Sequence, residues 1–223
     1  MIDAVLDCGT PVVLCCMAGS CMDLSPYADR AAAVIQTWYP GAEGGQVLAD
    51  ILAGKTAPSG KLPVTFYGGD YEIPDFTDYS LKNRTYRYVE QGVLYPFGYG
   101  LTYGRTEVIS AAYDSESKKV SYEIVNHSDR AVEETVQVYK KNRTSKWEVR
   151  NTVLCGFAKV CLAPGETRQG EIQLDEYAFT VVNDQGKRVQ DGSDYLLYVG
   201  THGPDKRSEE LTGTKGIALD IKF

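Results

Sequence analysis

Seven consecutive apolar residues, Val12-Val13-Leu14-Cys15-Cys16-Met17-Ala18, limit the possible fold of this chain more than any other stretch. The run is strand length, far short of the ~20 residues a membrane-spanning helix needs. No polar residue alternates within it, so it suits a strand covered on both faces, as in a parallel sheet. The neighbouring residues agree. Residues 2–6 read as the end of a helix, broken at Gly9-Thr10-Pro11. Residues 24–32 read as a helix with Ser25 as N-cap and Pro26 at its first position. Residues 33–39 form a second strand, residues 44–53 a helix stopped by Gly54, and residues 62–67 an extended segment whose Pro63 suggests a sheet margin. Alternating strands and helices predict a parallel α/β sheet over residues 1–67. Two or three strands make only part of such a sheet. Its apolar faces need further material to cover them, so this half reads as a piece of a larger domain.

The grammar changes twice after that. Residues 68–104 are rich in Gly, Tyr, Asp and Pro and read as a long ordered linker. Its aromatics, Tyr79, Tyr86, Tyr88, Tyr95, Phe97, Tyr99 and Tyr103, suit packing on a neighbouring surface better than a ligand platform. Residues 105–223 carry strand signals only. The segments are 108–114, 120–126, 134–139, 152–160, 167–174, 178–183, 195–200 and 217–223, separated by turn residues such as Ala163-Pro164-Gly165 and Asp184-Gln185-Gly186. Short strands at that spacing predict an immunoglobulin-like sandwich of the fibronectin III variety. The predicted fold class is therefore a partial parallel α/β sheet followed by an all-β sandwich.

Charge excludes one class of partner. The net charge is −7. Residues 1–104 hold 11 acids and 6 bases, giving −5, and residues 105–223 hold 19 and 17, giving −2. Neither half is basic, so nucleic acid is not an expected partner, and neither is a membrane. No secretory signal opens the chain at Met1-Ile2-Asp3.

The residues that often carry chemistry are sparse. Six cysteines, Cys8, Cys15, Cys16, Cys21, Cys155 and Cys161, form no C-x-x-C pair, and His127 and His202 lie apart from most of them. Without about four ligands at close spacing, no zinc site is predicted, and the cysteines read as small core residues. Glu133-Glu134 and Glu209-Glu210 lack the D-x-D-x-D-G frame of a calcium loop and read as solvated charge. Glu43 invites a catalytic reading, but an acid just before a helix suits its positive end better. Three N-x-S/T triplets begin at Asn83, Asn126 and Asn142; such triplets arise by chance and do not establish secretion.

Three ordered blocks resemble one family. The first is Trp38-Tyr39-Pro40-Gly41-Ala42-Glu43-Gly44-Gly45, with Ala49-Asp50-Ile51-Leu52-Ala53-Gly54-Lys55 and Pro58-Ser59-Gly60-Lys61-Leu62-Pro63-Val64-Thr65-Phe66. The second is Arg84-Thr85-Tyr86-Arg87-Tyr88 with Leu94-Tyr95-Pro96-Phe97-Gly98-Tyr99-Gly100-Leu101-Thr102-Tyr103. The third is Val136-Gln137-Val138-Tyr139 with Gly156-Phe157-Ala158-Lys159 and Leu162-Ala163-Pro164-Gly165-Glu166. Together they resemble the C-terminal region of family 3 glycoside hydrolases, the β-glucosidase-like group, across essentially the whole chain.

The resemblance implies a parent enzyme with a (β/α)₈ barrel carrying an aspartate nucleophile, an α/β sandwich domain supplying a glutamate acid/base from a loop, and a final fibronectin III-like domain. It implies retaining hydrolysis of a β-linked sugar, glucose or xylose, by paired carboxyl groups about 5–5.5 Å apart. The barrel's Ser-Asp-Trp-like motif and its Lys-His pair do not occur here, and the acid/base loop belongs upstream of residues 12–17. No catalytic, cofactor-binding or metal-binding residue is therefore assigned. Three readings stand: a scaffold portion of a glycosidase, inactive alone; a carbohydrate-binding module using the aromatics of residues 79–103; or an interaction subunit completing a separately encoded barrel chain. The implied partners are the barrel domain, in cis or in trans, and a β-linked oligosaccharide reached through the parent enzyme.

Overall fold

A computed structural model describes residues 1–223. Helix α1 (Ile2–Leu6) leads into strand β1 (Val13–Cys16). The short helix α2 (Ser25–Ala28) crosses back to β2 (Ala33–Gln36), which pairs with β1 in parallel, Val13 opposite Ala33 and Cys16 opposite Gln36. The Gln36 amide donates to Ala18 O at 2.7 Å and the Thr37 hydroxyl to Cys16 O at 3.1 Å, closing the C-terminal end of the pair. Arg30 ties the crossover to α1 through Asp3 at 2.8 Å and Asp7 at 2.7 Å.

Strand β1 is left partly uncovered, as expected of a piece of a larger sheet, while two other sequence expectations change. These two strands form a sheet of their own, leaving Val13 at 41% and Met17 at 60% exposure. The helix expected over residues 24–32 stops at Ala28, and Ser25 is not its cap. The Ser25 amide and hydroxyl both donate to Asp23 Oδ1, at 2.9 and 2.6 Å, a local turn that competes with a longer helix. Residues 62–65 stay outside any ladder, and only β3 (Phe66–Tyr67) is a strand. It joins β4 (Val93–Tyr95) in a separate antiparallel pair rather than extending the parallel sheet. Between β2 and β3 lies helix α3 (Gly44–Leu52), which ends as expected, with Gly54 in the left-handed region at φ +70°. Residues 68–104 hold β4 and one helical turn, α4 (Thr85–Tyr88).

The second half is the predicted sandwich. One sheet runs β5 (Thr106–Asp114), β6 (Lys119–Asn126), β9 (Thr167–Gln173). The other runs β13 (Ile217–Lys222), β12 (Asp194–Gly200), β7 (Val132–Asn142), β8 (Val153–Leu162). Every pairing is antiparallel. In β6 the inward residues Val120, Tyr122 and Ile124 alternate with more exposed ones. They meet Val136, Val138, Leu197 and Val199 from the opposing sheet in one continuous core. The expected strand at 178–183 shrinks to β10 (Val181–Val182), hairpinned to an unforeseen β11 (Arg188–Val189). Helix α5 (Lys206–Thr212) was also missed. Its signal was Asp205, whose carboxylate accepts from Ser208 N at 2.8 Å, and Gly213, at φ +68°.

Two of the three N-x-S/T triplets have a structural purpose. Asn126 and Asn142 end β6 and β7 and are buried, at 0% and 2% exposure. Asn126 Nδ2 donates to Arg130 O at 2.8 Å and Ala163 O at 3.0 Å, while its Oδ1 accepts from Ser128 N at 3.0 Å. Asn142 repeats the device, with Nδ2 on Asp191 O at 2.6 Å and Oδ1 accepting from Thr144 N at 3.1 Å. The hydroxyl residue two positions on also bonds the asparagine carbonyl, which is what the triplet records.

The six cysteines are unpaired thiols, and the core reading fails for three of them: Cys8, Cys21 and Cys161 are exposed. Cys155 packs against the core, where burial pushes its pKa up to about 12. No helix is long and apolar enough to cross a membrane.

Substituting Asn126→Ala leaves the Arg130 and Ala163 carbonyls without their amide donor; the expected loss is about 2–3 kcal/mol, read from the urea midpoint at unchanged m-value.

Candidate functional site

The three sequence blocks converge on one place, the joint between the α/β half and the sandwich. The irregular stretch Pro58-Ser59-Gly60 leads Lys61 into this joint. Its ammonium lies 2.8 Å from Glu134 Oε1 and donates to Gly100 O at 2.7 Å. The pair is buried, with Lys61 at 13% and Glu134 at 4% side-chain exposure. Glu134 also accepts from Thr135 N at 2.7 Å and from the Thr106 hydroxyl at 3.0 Å, so its charge is well satisfied. On the opposite face of β7, Ser59 donates to Glu133 Oε1 at 2.8 Å and Lys159 pairs with the same carboxylate. Lys159 and Ser59 together hold the Glu133 carboxyl below the usual carboxylate range.

Backbone seals the contact. Leu62 N donates to Tyr99 O at 2.9 Å, and Gly98 N to Leu62 O at 2.8 Å. A Cβ on Gly100 would run into the Gly60 carbonyl, so the close approach requires glycine. Gly98, at φ +79°, lies against the Gln137 and Tyr139 side chains. Gln137 donates to Gly98 O at 3.0 Å and to Thr201 O at 2.9 Å, while the Tyr139 hydroxyl donates to Gln137 Oε1 at 2.8 Å. Burial pushes the Tyr139 phenol far above its ordinary pKa, so it stays a donor.

Aromatics extend the joint in both directions. Toward the sandwich, Tyr86 stacks on Phe97 at 4.0 Å between centroids, and Phe97 meets Tyr139 edge-on at 6.5 Å. Toward the α/β half run Trp38, Phe66, Tyr95 and Tyr99 in successive contacts of 6.3, 6.3 and 5.6 Å. These rings cement the two halves, with their faces spent on one another rather than presented to a ligand. Tyr79 is different, standing 83% exposed.

A second feature is the C-terminal end of β1 and β2, where ligands collect in open α/β sheets. The Gly19 backbone packs against the Tyr39 ring, bringing the two loops together. Trp38 sits at φ +55°, a strained conformation for a bulky residue. Beyond that contact Tyr39 is 81% exposed at this rim. No paired carboxyl groups are built there. Asp23 is engaged with Ser25, whose hydroxyl accepts from Gly69 N at 3.0 Å. Glu43 occupies the N-cap of α3 but makes no hydrogen bond to it, correcting the capping expectation to a purely electrostatic one.

The two histidines have local partners. His127 is paired with Glu107 at 2.9 Å on the surface. His202, 1% exposed, has Nδ1 2.7 Å from Gly203 O and Nε2 3.2 Å from the Thr214 carbonyl. No cluster of His, Cys, Asp or Glu is arranged to hold a metal ion. Glu134, read from sequence as solvated charge, is instead the buried anchor of the joint, while Glu133 remains partly exposed beside Lys159.

Comparison with known proteins fits this geometry. Residues 1–103 match the model of the glycosyl hydrolase family 3 C-terminal domain, and residues 134–203 that of a fibronectin type III-like domain. The chain is 36% identical over 212 residues to a xylan 1,4-β-xylosidase of Xylanibacter ruminicola, covering 92% of this chain and 24% of that protein. A periplasmic β-glucosidase of Salmonella typhimurium is 31% identical over 218 residues, covering 90% and 28%. The crystal structure of a β-glucosidase from Kluyveromyces marxianus superposes with a TM-score of 0.83 at 29% identity, covering 99% of this chain and 27% of that one. The chain thus spans about a quarter of the length of the curated relatives it matches.

Removing Lys61 strands Glu134 in the joint. Lys61→Met should cost about 3–5 kcal/mol, and Lys61→Met with Glu134→Leu should recover most of it, both read by urea unfolding. Glu133 titrates the other way round from a raised group: its lowered pKa adds stability that is full above about pH 4.3 and fades as pH falls through its folded value. Lys159→Met should therefore flatten the acid limb of the stability–pH curve.

Proposed function

The chain belongs to glycoside hydrolase family 3, of which it carries the C-terminal region, and on that premise we propose that it is the scaffold portion of a retaining β-glycosidase of the β-glucosidase or β-xylosidase kind. Hydrolysis by that route needs a nucleophilic carboxylate and a carboxylic acid/base about 5–5.5 Å apart. No residue of this chain is assigned to either role, and the acids of the joint are committed to Lys61, Lys159, Thr106 and Ser59.

The single observation that carries this reading is the half-covered β1–β2 sheet. Its strands are paired only with each other, and Val13 and Met17 remain open to solvent although their sequence suits full burial. Further strands of the same α/β layer would cover them, and the rim bearing Trp38 and Tyr39 would then face a barrel domain supplied in cis or in trans. Sugar contacts and both catalytic carboxyl groups belong to that additional portion. In this arrangement the joint fixes the sandwich against the α/β layer as one rigid piece. A second reading, an interaction subunit that completes a barrel encoded separately, draws on the same uncovered sheet.

The purified chain is expected to release no nitrophenol from nitrophenyl β-glucoside or β-xyloside. The same chain joined behind a family 3 barrel region, or mixed with that region as a separate polypeptide, is expected to do so. Turnover that follows the chain alone through successive purification steps overturns the proposal.

A further inference from the structure

We propose that the loop of residues 70–82 is a docking finger, whose apolar tip seats in a socket with a basic rim on the barrel portion of the parent enzyme. This inference rests on the scaffold reading above and names the surface by which that portion is gripped.

Three large apolar side chains stand out from the loop within seven residues: Ile73 at 84% exposure, Phe76 at 88% and Tyr79 at 83%. One exposed apolar residue is ordinary, but three on one short loop mark a surface meant to be covered. The loop is also firmly built. Arg84 donates to Pro74 O at 3.2 Å and to Asp75 O at 2.6 Å, closing its neck. Tyr71 stacks on Tyr67 at 4.0 Å between centroids, and its hydroxyl donates to Asn83 O at 2.6 Å. The Thr77 amide and hydroxyl donate to Asp75 Oδ1 at 2.8 and 2.6 Å, and Ser80 N donates to Asp78 Oδ1 at 2.8 Å. Leu81, Asn83 and Thr85 lie at φ +59°, +54° and +55°, a costly conformation for residues other than glycine. Polar bonds and backbone strain thus hold three apolar side chains out in water. A finger fixed in this way loses little freedom when a partner closes over it.

The root of the finger says what covers it. Gly69 N donates to Ser25 Oγ at 3.0 Å, and the Gly69 backbone lies against the Asp23 carboxylate. Asp23 and Ser25 follow β1, at the rim where Tyr39 is 81% and Met17 60% exposed. The finger therefore springs from the rim already assigned to the barrel and continues its apolar surface. The matched region is 24% and 28% of two relatives, so most of their length lies outside it and is at hand to supply the socket. Charge describes that socket further. Residues 70–79 hold four acids, Asp70, Glu72, Asp75 and Asp78, and no base. The Thr77 hydroxyl holds the Asp75 carboxyl, and the Ser80 amide the Asp78 carboxyl, below the usual carboxylate range, so both stay ionised. Lys and Arg around an apolar centre complement such a tip. A second copy of this chain is the competing occupant. Two fingers meeting would bring twice those four acids together, on chains whose net charge is already −7.

The test is amide hydrogen exchange of this chain alone and of the same chain joined behind a family 3 barrel region. Joining is expected to slow exchange at least about tenfold across residues 72–81 as well as across residues 13–17. With the two regions mixed as separate polypeptides, Phe76→Asp should weaken association at least about tenfold. Phe157→Asp, at a position 64% exposed on the sandwich, should leave association unchanged. Both positions are exposed, so the urea midpoints of the variant chains are expected to match that of the unaltered chain. Slower exchange at 13–17 without any at 72–81 overturns the finger and leaves the scaffold reading standing. No slowing at either place overturns both. Association that Phe76→Asp leaves unchanged, or that Phe157→Asp weakens as much, overturns the finger too. Slowing at 72–81 in the chain alone as its concentration rises overturns it in favour of a second copy.

Discussion

The buried ion pair between Lys61 and Glu134 is the interaction that makes two structurally unlike halves one body. Each charge alone would be expensive to desolvate. Here the ammonium also donates to Gly100 O, and the carboxylate also accepts from Thr106 and Thr135. Four segments, the stretch ending at Lys61, the stretch Gly98–Gly100, strand β5 and strand β7, must be in place at once for that satisfaction. The absence of a Cβ at Gly100 is part of the same condition, because the Gly60 carbonyl occupies the space it would take. A joint with such requirements tolerates little rotation between its halves.

Much of the fold was legible because its signals are local. The alternation in β6 and β7, the turn residues between strands and Gly54 behind α3 act within a few residues of themselves. Errors arose where a nearby side chain or a distant segment decided. Ser25 looked like a cap, but Asp23 captures its hydroxyl. Pro63 announced a sheet margin, yet no pattern says that Phe66 pairs with Tyr95 instead of with β2. The cysteines of β1 read as core because their neighbours are apolar, and an uncovered sheet leaves them half exposed. Helix α5 was missed because its charged residues resembled a solvated turn; Asp205 three positions before Ser208 was the available clue.

The joint shows a different limit. Its residues were visible as three blocks whose order resembled a family, but their physical purpose was not. Glu133 and Glu134 read as solvated charge because no calcium-loop frame surrounds them. In the structure each faces its own lysine, Lys159 on one side of β7 and Lys61 on the other. The proximity of Lys61 to a carboxylate 73 positions later has no local signature. The sequence blocks mark the joint, and only the fold shows that they are one contact.

The span of the joint also sets an order of events during synthesis. Ser59 and Glu133 are 74 residues apart. At a translation rate of about 5–20 residues per second, the ribosome needs roughly 4–15 s to deliver the second after the first. Until β7 emerges and pairs, Lys61 has no counter-charge and the nascent α/β segment has nothing to close against. The lifetime of that unclosed segment is written in the chain's own spacing.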